Sequence, residues 1–396
     1  MSETRVGFVA DIINGFPFPS SDFRSEEGTP LVRIRDILAT EFSTFVPRGK
    51  IPDEAWIRDG DVVVGMDGDF NSVVWSRGPA ALNQRVCLLR VHQEHDPRFV
   101  DYAIQDELKR VNTIAYATTV KHLSASDVFN LRLPALNTGE QRRVANYLDR
   151  EIAEMDAINA SLDKLIETLR HRARTLQTRL AFGLAADLQM TTSNSVLAGI
   201  PSSWSTTRFG IDFVESTERN GDNPVGPLLS ISEYRGVELN ERTDGQQASE
   251  DVSNYRVVHP GQLAANMMWL NHGGVGVSDL CGYISPDYKA FWISDRFEPR
   301  YVHYLFRSSR YIDFFEAIAT GVRPNAKRVT KTTLGMTPVP MPPLDEQRRI
   351  ADELDAGTSR LEAMIAGAER LKALLAERKS TLITEVVTGR KEVSAA

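Results

Sequence analysis

The sequence is short of several things, and each shortage excludes something. It contains two cysteines, Cys87 and Cys281, one in each half. Two thiols cannot build a cysteine-based zinc site, and their separation argues against a disulfide. Both are expected to be buried free thiols. No run approaches the ~18 apolar residues that a membrane-spanning helix needs, and no apolar N-terminal stretch resembles a secretion signal. The expected location is the cytosol, with no membrane partner. There is no GxxxxGK[ST] phosphate loop, no GxGxxG opening a helix and no NPPY- or DPPY-like adenine-methylation motif. The chain is therefore expected to be non-catalytic and to hold no cofactor or metal. Positive charge is also scarce: 46 Lys plus Arg stand against 53 Asp plus Glu, a net −7. Phosphate neutralisation supplies most non-specific DNA affinity, so this chain alone is expected to bind DNA weakly.

What is present is a repeat. Residues 133–149 read LPALNTGEQRRVANYLD and residues 339–355 read VPMPPLDEQRRIADELD. An offset of about 206 positions keeps Glu140-Gln141-Arg142-Arg143 over Glu346-Gln347-Arg348-Arg349, and Leu148-Asp149 over Leu354-Asp355. The same offset carries Leu165 over Leu371 and Gly183 over Gly389. Each repeat opens on Pro and a polar turn, then runs about 40 residues without another Pro, and a Gly stands where a helix would stop. Such a helix is roughly 60 Å long, more than a small domain needs.

The apolar spacing supports a rod. Leu148, Met155, Leu162, Leu169 and Leu176 recur every heptad, with Ile152, Asn159, Ile166, Ala173 and Leu180 as companions. In the second copy Leu354, Leu361, Ala368, Leu375 and Leu382 recur likewise. Their companions, Thr358, Ile365, Lys372, Lys379 and Val386, are poorer, so that seam is expected to shift towards Met364 and Leu371. Asn159 interrupts the first seam, as a register-fixing polar residue does. The insertion between the copies makes antiparallel pairing natural, with a globular domain at each end.

The expected fold is α+β: two mixed α/β domains joined by two long helices that pair as an antiparallel coiled coil, in a pseudo-twofold repeat. Residues 1–132 form the first block and 133–183 the first spacer helix. Residues 184–199 are a linker, 200–338 the second block, 339–390 the second spacer helix and 391–396 a tail. In the first block β-branched runs such as Val62–Val64 alternate with Gly, Asp and Asn turns, and residues 96–111 have helical spacing. In the second, GQLAANMMWL (261–270) reads as a strand, a Gly-rich turn follows at His272–Gly276, and residues 299–318 read as a helix. The blocks share an order of elements but little sequence.

The paired EQRR openings, long helices and diverged blocks together resemble the specificity subunit of type I restriction–modification systems. INGFPF (13–18), VGMDGDFN (64–71) and LNQRVC (82–87) resemble phrases of that family's target recognition domains, as do IPSSW (200–204) and GVSDLCGYISPDY (276–288). The resemblance spans essentially the whole chain. It implies a reader of double-stranded DNA in which each recognition domain reads half of a split target and the coiled coil sets the gap. It implies two methyltransferase subunits that bind S-adenosylmethionine, and restriction subunits that use ATP. A coiled-coil protein-interaction scaffold without DNA binding is the alternative.

Candidate DNA contacts follow from side-chain chemistry. Arg323, Asn325, Lys327, Arg328 and Lys331 cluster on a Gly- and Pro-bearing loop, where Arg suits guanine edges and Lys suits phosphates. Lys121 and His122 occupy the matching place in the first block, and Asn83, Gln84 and Arg85 add amide and guanidinium groups. His92, His95 and Asp96 lack the rest of a metal-ligand set. Asp67 and Asp69 flank Gly68 as a turn does, and His272 lacks a nearby nucleophile or acid. Arg142, Arg143, Arg348 and Arg349 are assigned to domain contacts or partner docking.

Overall fold

The computed structural model describes residues 2–115, 122–184, 196–232, 235–240, 251–321 and 327–393. The chain divides into two units. Unit 1 comprises Met1–Leu162 with Arg370–Ala396, and unit 2 comprises Asp163–Glu369.

Unit 1 is built on a four-stranded antiparallel sheet in the order Ala10–Asn14, Val86–Val91, Val62–Gly65, Ser72–Val74. Strand side chains alternate between faces. Val62 and Val64 accordingly join a core with Phe99, Val100 and Ile104, while Val63 joins another with Val32, Ile57 and Trp75. Burial on both faces explains why the Val62–Val64 run is apolar throughout. A second sheet pairs Thr29–Val32 in parallel with Ala80–Leu82. Helix α1 (Pro97–Ala115) covers the first sheet, and α2 (Ala125–Asn130) is capped by Ser124, whose hydroxyl accepts from the Asp127 amide. Helix α3 (Thr138–Ala181) starts where Asn137 and Glu140 exchange side-chain-to-amide hydrogen bonds of 3.0 Å each way.

Unit 2 repeats this plan. Its four-stranded sheet runs Phe213–Ser216, Lys289–Ile293, Leu263–Ala265, Val275–Val277, with the same antiparallel pairings. Short α4 (Phe209–Asp212) precedes it. The single α1 of unit 1 is matched here by two helices, α5 (Pro299–Phe306) and α6 (Ser309–Ile318). The expected continuous helix breaks because Ser308 caps α6 and Arg307 is drawn to the carbonyl oxygens of Ser232, Gly273 and Val275. Helix α7 (Lys331–Gly335) leads to α8 (Leu344–Val387). Strand Glu3–Arg5 pairs with Arg132–Pro134 in unit 1, as Ser205–Arg208 pairs with Pro338–Met341 in unit 2.

The two 44-residue helices pack antiparallel. In unit 1, Leu148, Ile152 and Met155 of α3 share a core with Leu382, Ile383 and Val386 of α8, and Lys379 pairs with Asp156 at 3.0 Å. In unit 2, Ala181 of α3 shares a core with Ile350, Ala351 and Leu354 of α8, and Arg170 pairs with Glu369 at 3.1 Å. Both heptad series of α3 are buried or half-buried. In α8 the expected shift does not occur. Thr358, Ile365, Lys372 and Lys379 stay in the half-buried seam, and Met364 and Leu371 are exposed. Lysine stems can lie along an apolar surface with the ammonium in water, as Lys379 does against Asp156. Helix α3 ends in the left-handed Gly183, with Leu184 N–H donating to Arg179 O and Gly183 N–H to Leu180 O.

The repeated EQRR…LD phrase has a definite task in each unit. Buried Gln141 accepts from the Asp96 amide through Oε1 (2.9 Å) and donates to Leu136 O (2.8 Å). Buried Gln347 does the same with the Glu298 amide (2.9 Å) and Pro342 O (2.9 Å). Asp149 accepts from Arg98 (2.6 Å) and Tyr102 (2.7 Å), and Asp355 accepts from Arg300 (2.7 Å) and Tyr304 (2.7 Å). Burial and the Asp355 hydrogen bond push the Tyr304 hydroxyl up to about 12. Each long helix thus clamps the start of the helix that lies on its unit's sheet. Arg142 and Arg143 remain exposed.

Candidate DNA-recognition surfaces

Three separate phrases of unit 1 meet at one end of its sheet. Gly15 N–H donates to Val86 O and Phe16 N–H to Leu82 O. A Cβ on Gly15 would lie 1.8 Å from Asn83 O, so only glycine lets these segments approach so closely. Met66 N–H donates to Arg85 O, which brings the Val62–Ser72 hairpin to the same place. At its tip Gly68 has φ 75° and Phe70 turns back into the core with φ 51°.

Asp67 is the hub of this surface. Its Oδ2 accepts from Arg85 at 2.7 Å, and its Oδ1 lies 2.7 Å from His122 Nδ1. Asp67 is therefore engaged as a positioning carboxylate. Arg85 and His122 stay exposed, as does Gln84, with Asn83 half-buried. The structure thus gathers Asn83, Gln84, Arg85 and His122 on one face. Lys121, Arg323 and Asn325 lie outside the described residues.

Unit 2 carries the matching surface. Val329 N–H donates to Met267 O, as Leu123 N–H does to Met66 O in unit 1, so Arg328 stands where His122 stands. Arg328 is exposed and bridged to Thr320. Lys327 pairs with Glu316, which also accepts from Asn271 at 2.6 Å. The Lys327 hydrogen bond holds the Glu316 carboxyl below its ordinary range. Lys331 pairs with Glu215 at 2.6 Å and stays exposed, while Arg256 and Lys289 each approach the same carboxylate at 3.1 Å. Burial opposes ionisation of Glu215, but the Lys331 and Lys289 hydrogen bonds outweigh it and hold the carboxyl low.

Sequence reasoning missed the residues of the unit 2 hairpin tip. The expected strand over 261–270 is confined to Leu263–Ala265, because Asn266 turns the chain by donating to Gly274 O. Met268 and Trp269 are consequently exposed loop residues. The Gly273-Gly274 pair was the only signal in the sequence. A second correction concerns Cys281, which is exposed because it sits in the turn before Gly282–Ile284. Cys87 is buried as expected, and burial pushes its thiol up to about 12.

The groups weighed for metal or acid–base chemistry are otherwise engaged. His92 Nε2 lies 3.3 Å from Asp11, His95 meets Gln141, Asp96 binds Arg98, and His272 packs on Trp269. Among the described residues no group of three or more His, Cys, Asp or Glu is arranged to hold a metal ion. No helix of the described residues is long and apolar enough to cross a membrane.

Two β-rich domains of one plan with unlike tips, on two packed helices, define a class of DNA sequence-specificity protein. Residues 1–168 match the family model described as the type I restriction modification DNA specificity domain. The type I restriction enzyme EcoBI specificity subunit of Escherichia coli is 29% identical over 381 residues, covering 88% of this chain and 77% of that one. A chain from a structure of complex assembly and conformational transition of the type I R-M system superposes with TM-score 0.67 at 17% identity, covering 98% and 97% of the two chains. The HsdS subunit from Thermoanaerobacter tengcongensis superposes with TM-score 0.50 at 17% identity, covering 98% and 96%. The chain belongs to the specificity subunits of type I restriction–modification systems, a non-catalytic family that selects the DNA sequence.

Proposed function

We propose that each unit reads one half of a bipartite double-stranded DNA target. The recognition domains are residues 1–132 and 200–338, and the helices of 133–183 and 339–390 set the gap between half-sites. The observation that carries this reading is the duplicated sheet frame with chemically different tips: Asp67, Arg85 and His122 in unit 1, Met268, Trp269 and Arg328 in unit 2. One frame used twice with unlike tips suits two unlike half-sites. Asn83, Gln84, Arg85, Lys121 and His122 are the candidate contacts of the first domain, and Arg323, Asn325, Lys327, Arg328 and Lys331 those of the second.

Two methyltransferase subunits dock on this chain and carry S-adenosylmethionine, and restriction subunits with ATP join for cleavage. Support for duplicate docking comes from the long helices. Ile158 and Leu165, one heptad apart on α3, are exposed, and so are their repeat counterparts Met364 and Leu371 on α8. An outward apolar stripe present once per repeat suits one partner bound twice. The net −7 leaves much of the phosphate contact to those partners.

The test maps adenine methylation in the host genome with and without this gene, and measures binding of the purified complex to the mapped sequence. Loss of methylation at a split motif, with a gel shift on that motif, is the expected result. Unchanged methylation and no shift would leave the protein-interaction scaffold standing instead.

A further inference from the structure

The hairpin tip of unit 2 presents two large apolar side chains to solvent on a firmly built loop. Met268 is 45% and Trp269 is 43% exposed. The loop beneath them is closed by Met268 N–H donating to Asn266 Oδ1 (3.1 Å), Trp269 N–H to Asn266 O (2.9 Å) and Gly274 N–H to Trp269 O (2.8 Å). Gly273 has φ 77°, and a Cβ on Gly274 would lie 2.8 Å from Trp269 O. Both glycines are therefore required for the loop to close under the indole. Met267 and Leu270 anchor it in the core, and the Trp269 ring packs on His272 with centroids 4.4 Å apart. A loop of this construction fixes the pair outward.

The surroundings say what the pair meets. Arg328 adjoins the Val329 amide that binds Met267 O, and Lys327 lies one residue further back. Lys327 pairs with Glu316 and the Arg328 side chain stays exposed beside the tip, an arrangement that suits a polyanion. At the same point of the frame, unit 1 carries the polar group of Asp67, Arg85 and His122. Within a major groove the apolar feature available to such a tip is the C5-methyl group of thymine.

We propose that Met268 and Trp269 contact a thymine methyl group in the half-site read by unit 2, and so determine specificity there. The proposal rests on the half-site reading above. It assigns an apolar readout to unit 2 and a polar one to unit 1.

The test uses the full complex with its methyltransferase subunits and the mapped target. Affinity is measured on duplexes in which each thymine in turn is replaced by deoxyuridine, which removes only the methyl group. The expected result is about a fourfold loss at a thymine of the unit 2 half-site. The doubly substituted Met268→Ala/Trp269→Ala chain should bind thymine and deoxyuridine duplexes alike. Because each comparison is internal to one protein, a weakened variant still reports. Equal affinity across the wild-type series overturns the proposal, as does discrimination that survives in the double variant. A variant weakened on every duplex, without any deoxyuridine effect in the wild type, assigns the pair to a wedge between base steps or to a protein contact and also overturns it. The half-site reading fails separately, if exchanging residues 200–338 leaves both half-sites unchanged.

Discussion

At the scale of single residues, the two units place different titratable groups at one structural position. Asp101 on α1 and His303 on α5 each follow a clamped arginine, Arg98 or Arg300, and each is buried against its sheet. Burial pushes the Asp101 carboxyl up to about 6. Burial and the nearby Arg307 push the His303 imidazole down to about 4, and its Nδ1 accepts from the Val277 amide at 3.2 Å. The signs of the linkage are opposite. Native Asp101 holds a proton that the unfolded chain has lost, so its contribution rises as pH falls from 7 to 5, by about 1 kcal/mol. Native His303 refuses a proton that the unfolded chain accepts, so its contribution falls over the same interval by about 2 kcal/mol. Urea titrations of wild type, Asp101→Asn and His303→Gln at pH 7 and 5 check this. The gap between wild type and Asp101→Asn should shift in favour of wild type at pH 5, and the gap to His303→Gln should shift against it.

Residue identity was unevenly legible in the sequence. The EQRR phrase drew attention to its arginines, yet Gln141, Gln347, Asp149 and Asp355 make the clamps. A repeat marks which positions matter, but burial decides which of them bond inward. Met268 and Trp269 fit a strand in the sequence because a short apolar run looks alike in a buried strand and an exposed tip. Arg307 breaks the helix in unit 2 through carbonyl groups 32 to 75 residues away, which no local pattern can announce.

At the scale of elements, the long helices were the most legible part, since a heptad pattern is local and repeats. Their one polar interruption was visible too. Asn159 Oδ1 is buried without a hydrogen-bond partner. Replacing it by leucine removes an unpaired polar atom from the seam, worth about 1–3 kcal/mol. Asn159→Leu is expected to raise the thermal midpoint of the full chain while loosening register. Calorimetry checks the first effect and disulfide trapping between α3 and α8 the second. The clamps give the reverse expectation. Gln347→Ala leaves the Glu298 amide and the Pro342 carbonyl unpaired and is expected to destabilise unit 2 by about 2–4 kcal/mol, read as a lower urea midpoint.

At the scale of the whole molecule, the division of labour lies between what is repeated and what is not. The clamps and long helices are near-duplicates, while the hairpin tips have diverged. If the helices set the gap, seven residues added at equivalent places in both should lengthen it by about 10 Å, or about three base pairs, with both half-sites unchanged. Methylation mapping of that variant checks the spacing. The central claim, that each half-site belongs to one block, is tested most directly by exchanging residues 200–338 for the same block of a relative and mapping the methylated motif. The account predicts that one half-site changes and the other, with the gap, does not. A motif altered in both halves, or in neither, would contradict it.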